Sequence, residues 1–169
     1  ITGGAVFNRV VATSYNITDI VNDIIFVSGA GSVLDLSSVT QLLAGDFGSG
    51  SAYDRTIDAT NSGIVDFSGL TTITGVNGSN EELYFRATNG GQIFLPALSN
   101  NSDANLYFNV VGSSITLPSV SAISKTIFDL KGGTTINVPL LTSFTNSNLV
   151  LDGTGQFNSG MLTNIDNTR

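Results

Sequence analysis

Apolar and polar residues alternate along this chain in a phrase of ten residues that keeps returning. It reads GSVLDLSSVT at 31–40, GIVDFSGLTT at 63–72, GQIFLPALSN at 91–100, SSITLPSVSA at 113–122, TTINVPLLTS at 134–143 and GQFNSGMLTN at 155–164. Each copy opens at Gly, Ser or Thr, runs as a short alternating segment, and passes a Pro, Ser or Gly. It then ends on an apolar residue followed by hydroxyl or amide side chains. Period-two alternation marks a half-buried strand. One such unit cannot bury its apolar side alone, so stacked neighbours must supply the core.

The first inward position of the phrase is expected at Val6, Leu34, Val65, Ile93, Ile115, Ile136 and Phe157, at steps of 28, 31, 28, 22, 21 and 21 residues. Two residues later come Asn8, Leu36, Phe67, Leu95, Leu117, Val138 and Ser159, then Val11, Val39, Leu70, Leu98, Val120, Leu141 and Leu162. A second strand precedes each phrase, with an inward column expected at Phe26, Ile57, Phe85, Phe108, Phe128 and Leu149. The turns ATNSG and ATNGG supply residues that tolerate positive φ.

A coil of ~21 residues has room for two or three short strands, and equivalent strands recurring once per coil must pair in parallel. The fold predicted over residues 1–169 is a single all-β domain, a parallel β-helix of about six coils. The usual crossover rule makes it right-handed. Six coil steps of ~4.8 Å give a rod of roughly 29 Å. Extra residues at 15–23, 44–54, 75–82 and 101–104 map to one corner, and such a corner is often the binding face of a solenoid. Segment 15–23 (YNITDIVND) reads as a short helical turn.

Composition narrows the function classes. The chain is 41% hydrophobic and 11% charged, with net charge −7, six basic residues and no cysteine. So few cations leave no phosphate footprint for nucleic acid. No apolar run is long enough to span a bilayer and no basic amphipathic stretch suits its surface. Absent cysteine removes disulfides and thiol chemistry. No signal peptide is visible at ITGG, as in a mature or excised fragment.

Several residues invite a chemical reading. Asp35 and Asp66 stand one coil apart in one outward column, a spacing that suits acid–base work or a hard cation. Without His, a basic column or a calcium-repeat phrase they read as solvated carboxylates. No catalytic, cofactor or metal set is legible, so an enzyme is not expected. Thr40, Thr71, Ser99, Ser121, Thr142 and Thr163 form a hydroxyl ladder, a possible ligand face. Pro96, Pro118 and Pro139 stack at a corner, as proline's missing N–H requires. Asp58 and Arg86 face outward in adjacent coils, as do Tyr84 and Tyr107. Sequons occur at Asn16, Asn77 and Asn100.

Phrases such as GAGSVLDLSSVTQL, ATNGGQIFLPALSN and VVGSSITLPSVSAI resemble the degenerate repeats of large bacterial surface and adhesin-type β-helix proteins. That resemblance implies an extracellular or cell-surface stalk, fibre or adhesive role and brings no catalytic residues. The function expected is a structural subunit whose partner is itself, by head-to-tail stacking. The alternative is a module that binds a surface polysaccharide or ice through the insertion corner or the hydroxyl ladder. The strand-like GGAVFN and the closing GQFN fall in the same phase of the repeat. Assembly is therefore expected at Val6, Asn8, Phe157, Asn158 and Ser159, with Asn8 bonded to Asn158 or Ser159.

Overall fold

The computed structural model describes residues 1–17, 23–45, 54–76, 81–101 and 104–169. An opening partial coil supplies β1 (Val6–Phe7) and β2 (Ser14–Ile17). The first full coil carries β3 (Asp23–Ser28), β4 (Val33–Asp35) and β5 (Gln41–Ala44), and the second β6 (Arg55–Thr60), β7 (Ile64–Asp66) and β8 (Thr72–Gly75). The third is β9 (Leu83–Thr88), β10 (Gln92–Phe94) and β11 (Asn100–Asn101), and the fourth β12 (Leu106–Val111), β13 (Ser114–Thr116) and β14 (Ala122–Ser124). The fifth is β15 (Thr126–Lys131), β16 (Thr135–Val138) and β17 (Ser143–Thr145), and a closing coil adds β18 (Asn148–Leu151) and β19 (Gln156–Ser159).

Every strand pairing among the described residues is parallel. The strands stack into three faces, and the chain is a parallel β-helix. The long face is a six-stranded sheet in the order β18-β15-β12-β9-β6-β3. The short face is β1-β4-β7-β10-β13 followed by β16-β19, and the third face is β2-β5-β8 followed by β11-β14-β17.

The core lies between the faces. Val65, Ile93, Ile115 and Ile136 fill one column, and Phe67, Leu95, Leu117 and Val138 a second; all are buried. On the long face Phe85, Phe108 and Phe128 stack at centroid distances of 5.3 and 4.8 Å. The coils approach closely at one turn, where a Cβ on Gly91 would collide with the carbonyl oxygen of Ala59.

Four expectations need correction, all at the N-terminal end. Val6 pairs with Val33 and Phe7 with Leu34, so Phe7 takes the inward column and Val6 faces out; Val10, whose amide donates to the Asp35 carbonyl and which packs against the core, takes the place expected for Asn8. Continuous apolar residues such as Ala5–Val6–Phe7 give alternation no unique phase, and the ladder to the next coil sets it. Phe26 pairs with Asp58 and is 47% exposed; Ile25 holds the inward place opposite Ile57, after a register shift between Asp23 and Ile25. The pairing Ser14↔Gln41 puts Ala12 opposite Val39, leaving Val11 86% exposed. Of the segment 15–23, residues up to Ile17 continue β2 and Asp23 opens β3; 18–22, where the rest of the expected helical turn falls, lie outside the described residues.

The described flanks of the insertions place all four between a third-face strand and the next long-face strand. Most of the inserted residues, and the sequon at Asn77, lie outside the described residues.

Candidate functional site

Asp35 and Asp66 fall opposite each other, as their shared column requires. Their carboxylates are engaged in turns. The Ser37 amide donates to Asp35 Oδ1 at 3.0 Å and the Ser68 amide to Asp66 Oδ1 at 2.8 Å. The hydroxyl and amide of Ser37 hold the Asp35 carboxyl below its ordinary range. Each carboxylate satisfies a backbone donor at the corner between the short and third faces.

The hydroxyl ladder is also tied into the backbone. Thr40, Thr71, Ser121, Thr142 and Thr163 donate their hydroxyls to the carbonyls of Thr13, Thr40, Ser99, Ser121 and Thr142, one coil back, at 3.0–3.2 Å. The amides of the same residues reach the same carbonyls. All six ladder residues, Ser99 included, are exposed. Their hydroxyls keep lone pairs toward solvent, but five of their protons are already used within the protein. The neighbouring sequon residues Asn16 and Asn100 are exposed on the third face.

Outside the long face, Tyr84 and Tyr107 stack at 4.6 Å and 14°. Each ring covers a face of the other, which leaves little aromatic surface for a sugar to lie on. Tyr84 donates to Glu82 at 2.8 Å, and burial followed by that bond raises its pKa. Arg86 pairs with Asp58 at 2.7 Å; the Asp58 side chain is 5% exposed and that of Arg86 43%. Lys131 pairs with Asp129 at 2.8 Å, which also takes the Asn109 amide at 3.2 Å.

Alternation did not reveal a buried polar group at the start of the long face. Arg55 is fully buried, opposite Leu83, and Glu81 is buried as well. Aligning RTIDAT with LYFRAT would have placed Arg55 in an inward column. Asn101, also buried, ties Ala104, Ser124 and Thr126 together through its amide nitrogen. The bond to Ala104 is local, and those to Ser124 and Thr126 tie one coil to the next. Among the described residues no group of three or more acidic, His or Cys side chains is placed to hold a metal, and no helix is long and apolar enough to cross a membrane.

The two ends of the rod differ from everything between them, because inward columns run out there. At the N-terminal end Phe7 is 56% exposed and Tyr15, opposite Leu42, is partly exposed. At the C-terminal end Leu151, opposite Leu130, is 45% exposed. Ile165, beyond the bridge from Ser143 to Asn164, is 61% exposed. Phe157, Asn158 and Ser159 come together there with Asn137, Pro139 and Gly160 around an open groove. Phe157 turns inward, 5.1 Å from Phe128 and 5.7 Å from Phe144, and part-plugs the core. Asn158 Nδ2 donates to Asn137 Oδ1 at 3.1 Å. Val6 does not belong to this set of inward residues; Phe7 does. Comparison with protein-family models, with curated proteins and with solved structures found no match.

Proposed function

We propose that this chain is a structural β-solenoid unit of a cell-surface filament, stalk or adhesin that extends by end-to-end stacking of coils. One observation carries the proposal: the described coils stack in parallel, and the same hydroxyl bond joins one coil to the next at level after level, so a further coil adds by the contacts already present. An uncovered edge strand presents free backbone donors and acceptors, which a further parallel strand satisfies. A head-to-tail contact of this kind does not close on itself, so it propagates. The side chains along the faces support a mechanical role, since their hydroxyls, carboxylates and ion pairs link one coil to the next.

The test is sedimentation velocity over a wide concentration range, with electron microscopy of the same samples. The expected result is a series of species growing with concentration and unbranched rods one solenoid wide. A protein that remains a monomer at the highest concentration overturns the proposal.

A further inference from the structure

We infer that Tyr84 and Tyr107 form an oxidative cross-linking site. A one-electron oxidant, of the kind a haem peroxidase makes from hydrogen peroxide, couples the two rings into a dityrosine that staples the third coil to the fourth. The pair lies within one chain, so the staple does not depend on how copies meet.

The stack has the orbital geometry that this coupling needs. Tyr84 of β9 and Tyr107 of β12 stand opposite each other in a parallel ladder. Their ring centroids are 4.6 Å apart and their planes lie within 14° of parallel. Two phenoxyl radicals join through ring carbons ortho to oxygen, and the half-filled orbital at each such carbon points perpendicular to its ring. Face-to-face stacking in register aims these orbitals at each other. Holding the partners at this spacing also turns a bimolecular encounter into an internal one. The next residues in the column are Thr56 beyond Tyr84 and Ile127 beyond Tyr107, neither of which such an oxidant attacks. Within the column each ring is therefore the other's one oxidisable neighbour.

Each phenol also has a proton acceptor in place. Tyr84 Oη donates to Glu82 Oε2 at 2.8 Å and Tyr107 Oη to Asp129 Oδ2 at 3.4 Å. Asp129 is itself held by Lys131 at 2.8 Å and Asn109 at 3.2 Å. Burial first, and then the neighbouring carboxylate, raises the pKa of each phenol, so both rings are neutral before oxidation. A neutral phenol that loses an electron becomes strongly acidic, and a carboxylate already bonded to it takes the proton without rearrangement. Both tyrosines are half-buried, so an oxidant in solution reaches them.

Each ring gives one electron to the oxidant and its phenolic proton to its carboxylate. One carbon–carbon bond forms between the ortho carbons, and the hydrogen on each of them moves to that ring's oxygen, which restores the phenol. Two tyrosines and one hydrogen peroxide thus give one dityrosine and two waters.

The sequence lets the product be read without ambiguity. The four tyrosines are Tyr15, Tyr53, Tyr84 and Tyr107, and trypsin cuts after Arg55, Arg86 and Lys125. Peptides 56–86 and 87–125 therefore carry one tyrosine each, Tyr84 and Tyr107. The folded protein is treated with a haem peroxidase and hydrogen peroxide, then unfolded, digested and weighed by mass spectrometry. The expected product is 56–86 joined to 87–125, lighter than their sum by a pair of hydrogens, with dityrosine fluorescence. The treated chain is expected to run as a monomer on a denaturing gel and to unfold at higher urea than the untreated one, as a cross-link restricts the unfolded chain. Tyr84→Phe and Tyr107→Phe are each expected to lose the joined peptide. Glu82→Gln is expected to form it more slowly with an unchanged circular dichroism spectrum. Dityrosine formed through Tyr15 or Tyr53 alone, dityrosine only between molecules, or none at all overturns the site. Coupling of Glu82→Gln at the rate of the unaltered chain overturns the carboxylate's part in it.

Discussion

At the corner between the short and third faces, the Ser37 and Ser68 amides of the first two full coils are held by carboxylates, whereas the next three coils carry Pro96, Pro118 and Pro139 there. The backbone turn is the same throughout. Val39, Leu70, Leu98, Val120 and Leu141 donate to the carbonyls of Leu36, Phe67, Leu95, Leu117 and Val138, three residues back. Ser or Pro therefore occupies the second position of a β-turn, where proline's fixed φ is favoured. A serine brings an N–H that needs an acceptor, and Asp two positions before supplies it. A proline brings none, and the residue two before is then free to be Phe94, Thr116 or Asn137. The two acidic residues that look like a chemical pair are thus what this corner needs where proline is missing. The later coils also hold the aromatic column, while the earlier ones bury Ile25 and Ile57 at those positions.

The largest effect expected from this contrast is in the core. Phe108 is stacked on both sides, by Phe85 and Phe128. Phe108→Ala is expected to cost about 3–5 kcal/mol in urea unfolding, as a large-to-small change that leaves a cavity. Ile57→Ala in the earlier coils is expected to cost less. If Ile57→Ala proves the more damaging, stability does not reside chiefly in the aromatic column.

Next comes the turn exchange. Asp66→Ala strands the Ser68 amide and is expected to cost about 0.5–2 kcal/mol, the range for losing a side-chain acceptor of a backbone amide at a cap. Adding Ser68→Pro removes the orphaned donor and restricts the unfolded chain, which contributes about 0.4–1 kcal/mol in return. The double variant should therefore be more stable than Asp66→Ala alone. A double variant as weak as the single one, or weaker, would show that the two corners are not equivalent.

Much of this architecture was legible because the later coils repeat with little variation. The stacked Phe and Pro columns, the Tyr84–Tyr107 pair, the Asp58–Arg86 pair and the hydroxyl ladder all follow from counting. Counting failed at Val6, Val11 and Phe26, where apolar runs or a bulge remove the phase information and only pairing with the next coil sets the face. The purpose of Asp35 and Asp66 was hidden because an orphan amide leaves no mark in a sequence; the proline two positions later in other coils was the signal.

Acid should reveal the same division more gently. The Asp35 carboxyl is held low by Ser37, and that of Asp152 by the Gly132 amide first and then by Thr154 and Gly155. A carboxyl lowered in the folded state contributes stability above its unfolded value, about 3.9, and loses it as pH falls through the folded value. Stability should hold above about pH 5 and decline below it. Asp152→Asn should flatten the decline at the last long-to-short corner, and Asp35→Ala/Ser37→Pro should do so in the first full coil. Amide exchange of Ser37, Gly132 and Thr154 against pH reads both sites separately. Protection unchanged down to pH 2 would mean that these bonds do not hold the corners.

The smallest effect belongs to the hydroxyl ladder, which both halves share. Thr40→Val and Thr142→Val each delete one hydroxyl bond to a carbonyl that keeps its amide donors. An ordinary hydrogen bond contributes about 0.5–1.5 kcal/mol net, and these are exposed, so each variant should lie at or below ~0.5 kcal/mol. Valine's preference for strands offsets part of that loss. Because both positions use the same bond on the same face, the two costs should agree, unlike those of the turn and core variants. A cost above about 1.5 kcal/mol at either position would make the ladder a principal clamp between coils. Unequal costs would mean that the division between early and later coils reaches this face too.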